Sequence, residues 1–185
     1  MAEMTKAKNE PEIILDLCGG TGAWSKPYRD AGYDVRLVTL PQHDVRTYEP
    51  PPNVYGILAA PPCTMFASSG ARWKRTPEQM KEARDVVNAC LLIIQKCKPA
   101  FWALENPVGR LSSWLGRPKL YFQPFEYGDP YTKKTCLWGE FIIPRKQPVK
   151  PTDNRIWKMP PSKDRADKRS ITPAGFAKAF FEANP

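Results

Sequence analysis

Apolar residues along this chain fall in short runs that stop at glycine or proline. Four of the runs cover residues 12–16, 33–40, 54–60 and 101–104, and a later one covers residues 135–143. Runs of this length, bounded by turn residues, are typical of strands, and residues 33–40 alternate in the way that a half-buried strand does. We therefore predict a strand in each of the first four segments and a strand or hairpin in the fifth.

Helical periodicity is clearest in residues 77–96. The apolar side chains there are spaced alternately by three and four positions, which places them on one helical face; they are Met80, Ala83, Val87, Cys90, Ile94 and Cys97. Thr76 suits the N-cap, Pro77 suits the first helical position, and Gln79 completes a capping-box pattern. Residues 77–96 are therefore predicted to form a long amphipathic helix.

The remaining segments complete an alternation of strands with helices. Shorter helices are predicted over residues 27–31, where Gly32 follows, and over residues 173–183. Residues 144–169 are rich in Pro, Lys and Arg without a clear period, and are predicted to form a long loop. Strands that alternate with helices favour an α/β domain with a mainly parallel sheet.

Three polar segments follow predicted strands. Residues 16–22 read DLCGGTG, residues 61–63 read PPC, and residues 105–107 read ENP. Ligands of parallel sheets bind at the carboxyl ends of the strands. The three segments are therefore expected to converge at one edge of the sheet.

Length and composition indicate a globular protein. The 185 residues suit one domain, with residues 1–10 as a flexible tail and residues 11–185 as the folded unit. No apolar run reaches the length of a membrane span, and no signal peptide is evident, so we expect a cytoplasmic protein with no membrane partner. Five cysteines and one histidine show no zinc-ligand spacing, so no metal is expected.

The chain carries a formal net charge of +9. Two thirds of this surplus lies in residues 145–169, which hold nine Lys or Arg against three Asp. A surplus of this size favours a polyanionic partner such as nucleic acid. A solvated basic loop is the alternative interpretation.

Each polar segment suggests a chemical role and also has a plain structural alternative. Glycines in residues 16–22 would let a nucleoside-type cofactor approach the backbone, or would form an ordinary turn. The prolines before Cys63 would aim a nucleophilic thiol, although most cysteines are simply buried. Partial burial would raise the pKa of Glu105 and let it donate a proton, unless it lies in a surface turn.

Taken in order, these segments resemble motifs of the cytosine C5 DNA methyltransferase family. The segment DLCGGTG resembles the first motif, PPCTMFASSG the fourth, ENP the sixth, YGDPYTKKTCLWG (127–139) the eighth, and RSITPAGFAKAF (169–180) the tenth. The resemblance extends over residues 13–185. It implies a Rossmann-like fold that uses S-adenosylmethionine and acts on a cytosine rotated out of duplex DNA.

The resemblance also implies roles for individual residues. Cys63 would attack carbon 6 of the cytosine, and Glu105 would hold N3 and the exocyclic amine. Lys133 occupies the place of the first of two arginines in the eighth motif. The residues expected to bind the cofactor are Asp16, Cys18, Gly20, Gly22, Trp24, Asp44, Pro61 and Ser170.

The chain is short compared with the family that it resembles. Family members usually insert a target-recognition domain between the eighth and tenth motifs, where this chain has only the basic residues 140–168. We therefore expect short or relaxed site specificity, in a monomer of the compact kind typical of phages, acting in the host cytoplasm if phage-encoded. Two alternatives stay open: the same chemistry on RNA or a free cytosine nucleotide, and a catalytically inactive nucleic-acid-binding module.

Overall fold

The computed structural model describes residues 10–68, 74–153, 155–160, 162 and 165–185. Most of the predicted tail and the last two residues of the PPCTMFASSG segment lie outside these ranges. The described strands form one six-stranded sheet in the order β2-β1-β3-β4-β6-β5. Their bounds are β1 Ile13–Leu17, β2 Asp34–Val38, β3 Val54–Ala59, β4 Phe101–Pro107, β5 Leu120–Phe122 and β6 Thr135–Glu140.

The sheet is mostly parallel. Strand β1 pairs in parallel with β2 and β3, and β3 pairs in parallel with β4. Strand β6 then runs antiparallel to both β4 and β5. The carboxyl ends of β1, β3 and β4 consequently meet at one edge of the sheet. The predicted α/β fold with a mainly parallel, Rossmann-like sheet is confirmed.

Helices cover both faces of the sheet. They are α1 Lys26–Asp30, α2 Pro77–Cys97, α3 Ser112–Leu115, α4 Arg155–Lys158, α5 Arg165–Ser170 and α6 Ala174–Ala183, with a short 3-10 helix at Pro124–Tyr127. One core layer contains the buried face of α2, including Val87 and Cys90. The opposite layer contains aromatic side chains of α1 and α6, including Tyr28, Phe176 and Phe180.

Helix α2 has the N-terminus that its sequence predicts. The Thr76 hydroxyl accepts a hydrogen bond from the Gln79 backbone N–H, and the Gln79 side chain accepts one from the Thr76 N–H. Both bonds satisfy backbone donors that the first helical turn leaves without partners. Among the described residues, no helix is long and apolar enough to cross a membrane.

Two sequence expectations are corrected by the structure. The predicted loop over residues 144–169 contains α4 and most of α5; helices of four and six residues are too short to show a periodic pattern. Strand β4 continues through Pro107, so Glu105 and Asn106 belong to the strand instead of following it. Cross-strand pairing with residues 135–137 of β6 extends β4.

Candidate functional site

Two neighbouring cavities open at the edge of the sheet where the parallel strands end: the smaller one lies at the ends of β1, β3 and β4, and the larger one at the ends of β1, β2 and β3. The smaller one has a volume of about 90 Å³. The larger one has a volume of about 500 Å³ and shares Cys18 and Pro62 with the smaller. Nine of the predicted site residues line the smaller cavity, namely Asp16, Cys18, Gly20, Trp24, Pro61, Cys63, Glu105, Lys133 and Ser170. The predicted convergence at one sheet edge is therefore present.

The glycine loop after β1 packs directly on the carboxyl group of Asp16. A Cβ added at Gly19 would lie 2.2 Å from Asp16 Oδ1, so only glycine fits there. The loop then turns through left-handed backbone at Gly20, with φ of 56°, and at Gly22, with φ of 71°. Gly22 forms the turn and lines neither cavity, whereas Gly20 lines the smaller one.

Asp16 is a fully buried carboxylate with one oxygen left unsatisfied. Ser25 Oγ donates a hydrogen bond of 2.5 Å to Oδ2, while Oδ1 has no hydrogen-bond partner in the described structure. Burial raises the pKa of Asp16 from 3.8 to about 6, although the Ser25 hydrogen bond and the charge of Arg29 act in the opposite direction. A cationic ligand group near Oδ1 would stabilise the charged carboxylate.

Trp24 brings an unsatisfied donor to the same cavity. Its buried ring contacts Phe180 of α6 edge to face, with ring centres 5.5 Å apart. Its indole N–H is buried and has no acceptor among the described residues. With the free oxygen of Asp16, this donor fits a zwitterionic ligand end, whose ammonium would bind Asp16 and whose carboxylate would bind Trp24.

Residues 61–68 carry Cys63, the predicted nucleophile, and are here called the nucleophile loop. At its start, Asn106 Nδ2 donates a hydrogen bond of 3.0 Å to the carbonyl of Pro61. After Cys63 the chain makes a helical turn, because Phe66 N and Ala67 N both donate to the Cys63 carbonyl, at 2.9 and 2.8 Å. The backbone on both sides of the thiol is therefore held in place.

A two-stranded contact, here called the clip, joins the nucleophile loop to the segment after β4. Ser68 N donates to the carbonyl of Val108 at 3.0 Å, and Arg110 N donates to the carbonyl of Phe66 at 2.8 Å. Between them a Cβ on Gly109 would lie only 1.9 Å from the carbonyl oxygen of Phe66. The clip sets the position of the Cys63 loop relative to the strand that carries Glu105.

Charges around the smaller cavity act on both candidate catalytic groups. Burial raises the pKa of the Cys63 thiol, the charge of Glu105 raises it further, and Lys133 and Arg169 lower it. Burial also raises the pKa of Glu105, and Lys133 opposes this effect. A neutral, protonated Glu105 would therefore remove one obstacle to forming the Cys63 thiolate.

The larger cavity contains Asp44, but the carboxylate of this residue already has a partner. Arg46 donates from its side chain to both oxygens, at 2.5 to 3.0 Å, and from its backbone N–H at 2.9 Å. These hydrogen bonds lower the pKa of Asp44 to about 2. The predicted contact of Asp44 with the cofactor would have to share the carboxylate with Arg46.

Sequence reasoning assigned no role to three residues that shape the site. Asn106 stands within the ENP segment, and its role depends on a carbonyl 45 positions away. Arg169 adjoins the predicted Ser170 and lines the smaller cavity. Gly109 follows ENP by two positions, and its need for close backbone approach shows only when the nucleophile loop is in place.

Comparisons with known proteins show the fold. No protein-family model and no curated protein matches this chain. A prophage-encoded E. coli protein of known structure, described as a candidate DNA modification methyltransferase, is similar with a TM-score of 0.53. The two are 18% identical, and the alignment covers 75% of this chain and 53% of the other, so this chain spans about half of that protein's length.

Proposed function

We propose that this protein is an S-adenosylmethionine-dependent DNA methyltransferase that modifies carbon 5 of cytosine, with Cys63 as the nucleophile. The observation that carries the proposal is the smaller cavity, where Cys63, Glu105 and Lys133 meet the unsatisfied groups of Asp16 and Trp24. A thiol, a carboxyl and a cation beside a site for a zwitterion are the groups that this reaction needs.

The residues present fit the proposed cofactor. The larger cavity has room for a nucleoside, and the free oxygen of Asp16 and the indole N–H of Trp24 suit an amino-acid end. Gly20, Pro61 and Ser170 line the smaller cavity together with these groups and the candidate nucleophile. S-adenosylmethionine supplies an electrophilic methyl group carried on a sulfonium sulfur.

The protein's own groups act on the base. The Cys63 thiolate adds to carbon 6 of cytosine, which makes carbon 5 nucleophilic. Glu105 in its protonated form donates to N3, where negative charge develops, and its raised pKa favours that form. Lys133 and Arg169 stabilise the thiolate. Once carbon 5 carries the transferred methyl group and has lost its proton to water, Cys63 is expelled as thiolate, N3 returns its proton to Glu105, and the double bond between carbons 5 and 6 re-forms.

DNA is the proposed substrate for two reasons. The net charge of +9 favours a polyanion, and the structurally similar protein is described as a DNA modification methyltransferase candidate. A cytosine inside a duplex has to leave the stack to reach Cys63 and Glu105 in the smaller cavity. With only residues 140–168 available for target recognition, we expect a short or relaxed target site.

The decisive experiment is mechanism-based trapping. DNA containing 5-fluorocytosine is incubated with the protein and labelled S-adenosylmethionine, because fluorine at carbon 5 cannot leave as a proton would. The wild type should form a covalent protein–DNA complex that carries the label. Cys63→Ala should form none, whereas the matched control Cys97→Ala, which changes a cysteine at the far end of α2, should behave as the wild type.

Parallel reactions with RNA and with the free fluorinated nucleotide identify the substrate class. A complex with RNA or nucleotide alone would keep the chemistry and overturn the DNA assignment. Absence of a complex with all three substrates, in a protein that binds nucleic acid, would overturn the enzymatic proposal in favour of an inactive binding module.

A further inference from the structure

Two exposed aromatic side chains each lie under a cation. Trp114 of α3 is 39% exposed, and Arg84 of α2 places its Cζ 5.9 Å from the centre of the indole ring. Tyr121 of β5 is 41% exposed, and Lys134 places its Nζ 5.6 Å from the centre of the phenol ring. Exposed aromatic faces with cations beside them are typical of surfaces that stack nucleobases.

Both pairs lie on the same face of the sheet. Tyr121 is directly opposite Cys136 in the β5–β6 ladder, and such pairs point to the same side. Cys136 belongs to the core layer that also contains Leu111 and Leu115, which flank and end α3. Leu120 and Phe122, the neighbours of Tyr121, belong to the opposite layer. Tyr121 is therefore on the α2 and α3 side.

Two further arginines accompany these pairs. Arg110 precedes α3, Arg117 follows it, and both are exposed. Within the described part of the chain, none of the four cations has a carboxylate within 4.0 Å. We call this surface the basic-aromatic strip; its members are Arg84, Arg110, Trp114, Arg117, Tyr121 and Lys134.

The strip is connected along the chain to residues of the smaller cavity and of the clip. Lys134 directly follows Lys133, which lines that cavity. At the other side Arg110 belongs to the clip, through its backbone hydrogen bond to Phe66 of the nucleophile loop. These two connections link the surface to the segments that surround the cavity.

We propose that the basic-aromatic strip binds an unpaired strand of nucleic acid next to the target base, with flanking bases stacked on Trp114 and Tyr121. The inference rests on the proposed function only in that the bound strand carries the target cytosine. Stacking needs bases whose faces are free, so single strands or locally melted DNA should bind more tightly than closed duplex. The unpaired cations would contact the phosphates.

The test is fluorescence anisotropy with a labelled oligonucleotide, single-stranded or paired, over a range of salt concentrations. Trp114→Ala and Tyr121→Ala should each weaken single-strand binding about 5- to 150-fold, because stacking contributes about 1–3 kcal/mol per base. Trp114→Phe should retain most of the affinity. Arg117→Gln should instead reduce the salt dependence, by about 0.7 in the logarithmic slope for one phosphate contact. Leu92→Ala, at an exposed apolar residue of α2, is the matched control and should change neither quantity.

The outcomes separate this inference from the proposed function. If both aromatic variants bind single strands as the wild type does, the strip is not a stacking surface. The same conclusion follows if the wild type prefers closed duplex and neither aromatic substitution changes its affinity for duplex. Trapping with saturating fluorinated DNA is measured in parallel. A wild type that traps DNA while the aromatic variants bind normally would overturn only the strip. A wild type that traps nothing while both aromatic variants bind weakly would overturn only the chemistry.

Discussion

Asp16→Asn should stabilise the ligand-free protein while weakening its ligand site. Asp16 is fully buried, and burial raises the pKa of its carboxyl from 3.8 to about 6. Above pH 6 the folded protein therefore holds a charge that the unfolded chain accommodates more easily. Ionised Asp16 therefore lowers the free energy of unfolding by about 3 kcal/mol at pH 8, since each pKa unit corresponds to about 1.4 kcal/mol. Asn keeps an acceptor for Ser25 and has no charge to bury.

The sign of the pH dependence follows from proton binding. Between pH 4 and pH 6 the folded state binds the Asp16 proton more tightly than the unfolded state, so the contribution of this group to stability falls as pH rises. The advantage of Asp16→Asn should shrink from about 3 kcal/mol at pH 8 to about 1.5 kcal/mol at pH 5.

The assay is urea unfolding of wild type and variant at several pH values, without ligand. Asp44→Asn is the control, for which the change in stability should have the opposite sign. Arg46 lowers the pKa of Asp44, so removing the charged carboxylate should destabilise the protein at neutral pH. Isothermal calorimetry should show weaker S-adenosylmethionine binding to Asp16→Asn by about tenfold or more, as expected for losing a hydrogen bond to a charged group. A variant as stable as the wild type at pH 8, or a difference independent of pH, would refute the argument.

Three further predictions concern the nucleophile loop and its neighbours. Glu105→Gln should speed alkylation of Cys63 in mildly alkaline solution, where Glu105 is ionised, because its charge raises the pKa of the thiol; mass spectrometry reads the rate, and unchanged or slower alkylation would contradict this effect. Gly109→Val should break the clip, since even a Cβ would lie 1.9 Å from the Phe66 carbonyl oxygen; amide hydrogen exchange should accelerate in residues 66–68, and unchanged protection would show that the clip adapts. Asn106→Ala should lower the free energy of unfolding by about 1–3 kcal/mol, because a carbonyl of the nucleophile loop loses its donor; urea midpoints equal to the wild type would mean that another donor replaces the amide.

The elements that the sequence predicted correctly rest on short-range interactions. The capping box of α2 joins Thr76 to Gln79, three positions apart, so it is visible as a local pattern. Strands β1, β2 and β3 stop close to where Gly, Pro or polar residues interrupt an apolar run, which is also local, whereas β4 runs on through Glu105 and Asn106. Segments whose fold depends on neighbours, such as α4, α5 and the three-residue β5, showed no such pattern.

The candidate site was predictable in part for a geometric reason. Parallel strands place their carboxyl ends together, so segments that follow β1 and β3, or end β4, have to meet at one edge. The position of Asp16, Cys63 and Glu105 around one cavity follows from that rule and from the chain order. The pairing of Asp44 with Arg46 could not be predicted from that rule, because side-chain pairing in a loop depends on the detailed conformation of the loop.

By itself, the sequence determined the alternation of strands and helices, the boundaries of α2 and the convergence of polar segments at one sheet edge. Only the tertiary structure decided the antiparallel placement of β6, the hydrogen bond from Asn106 to the nucleophile loop, and the clip at Gly109. These contacts join residues about 40 or more positions apart or depend on which strands are neighbours. Local propensity has no information about such contacts, because they form only when the sheet brings distant segments within hydrogen-bond reach.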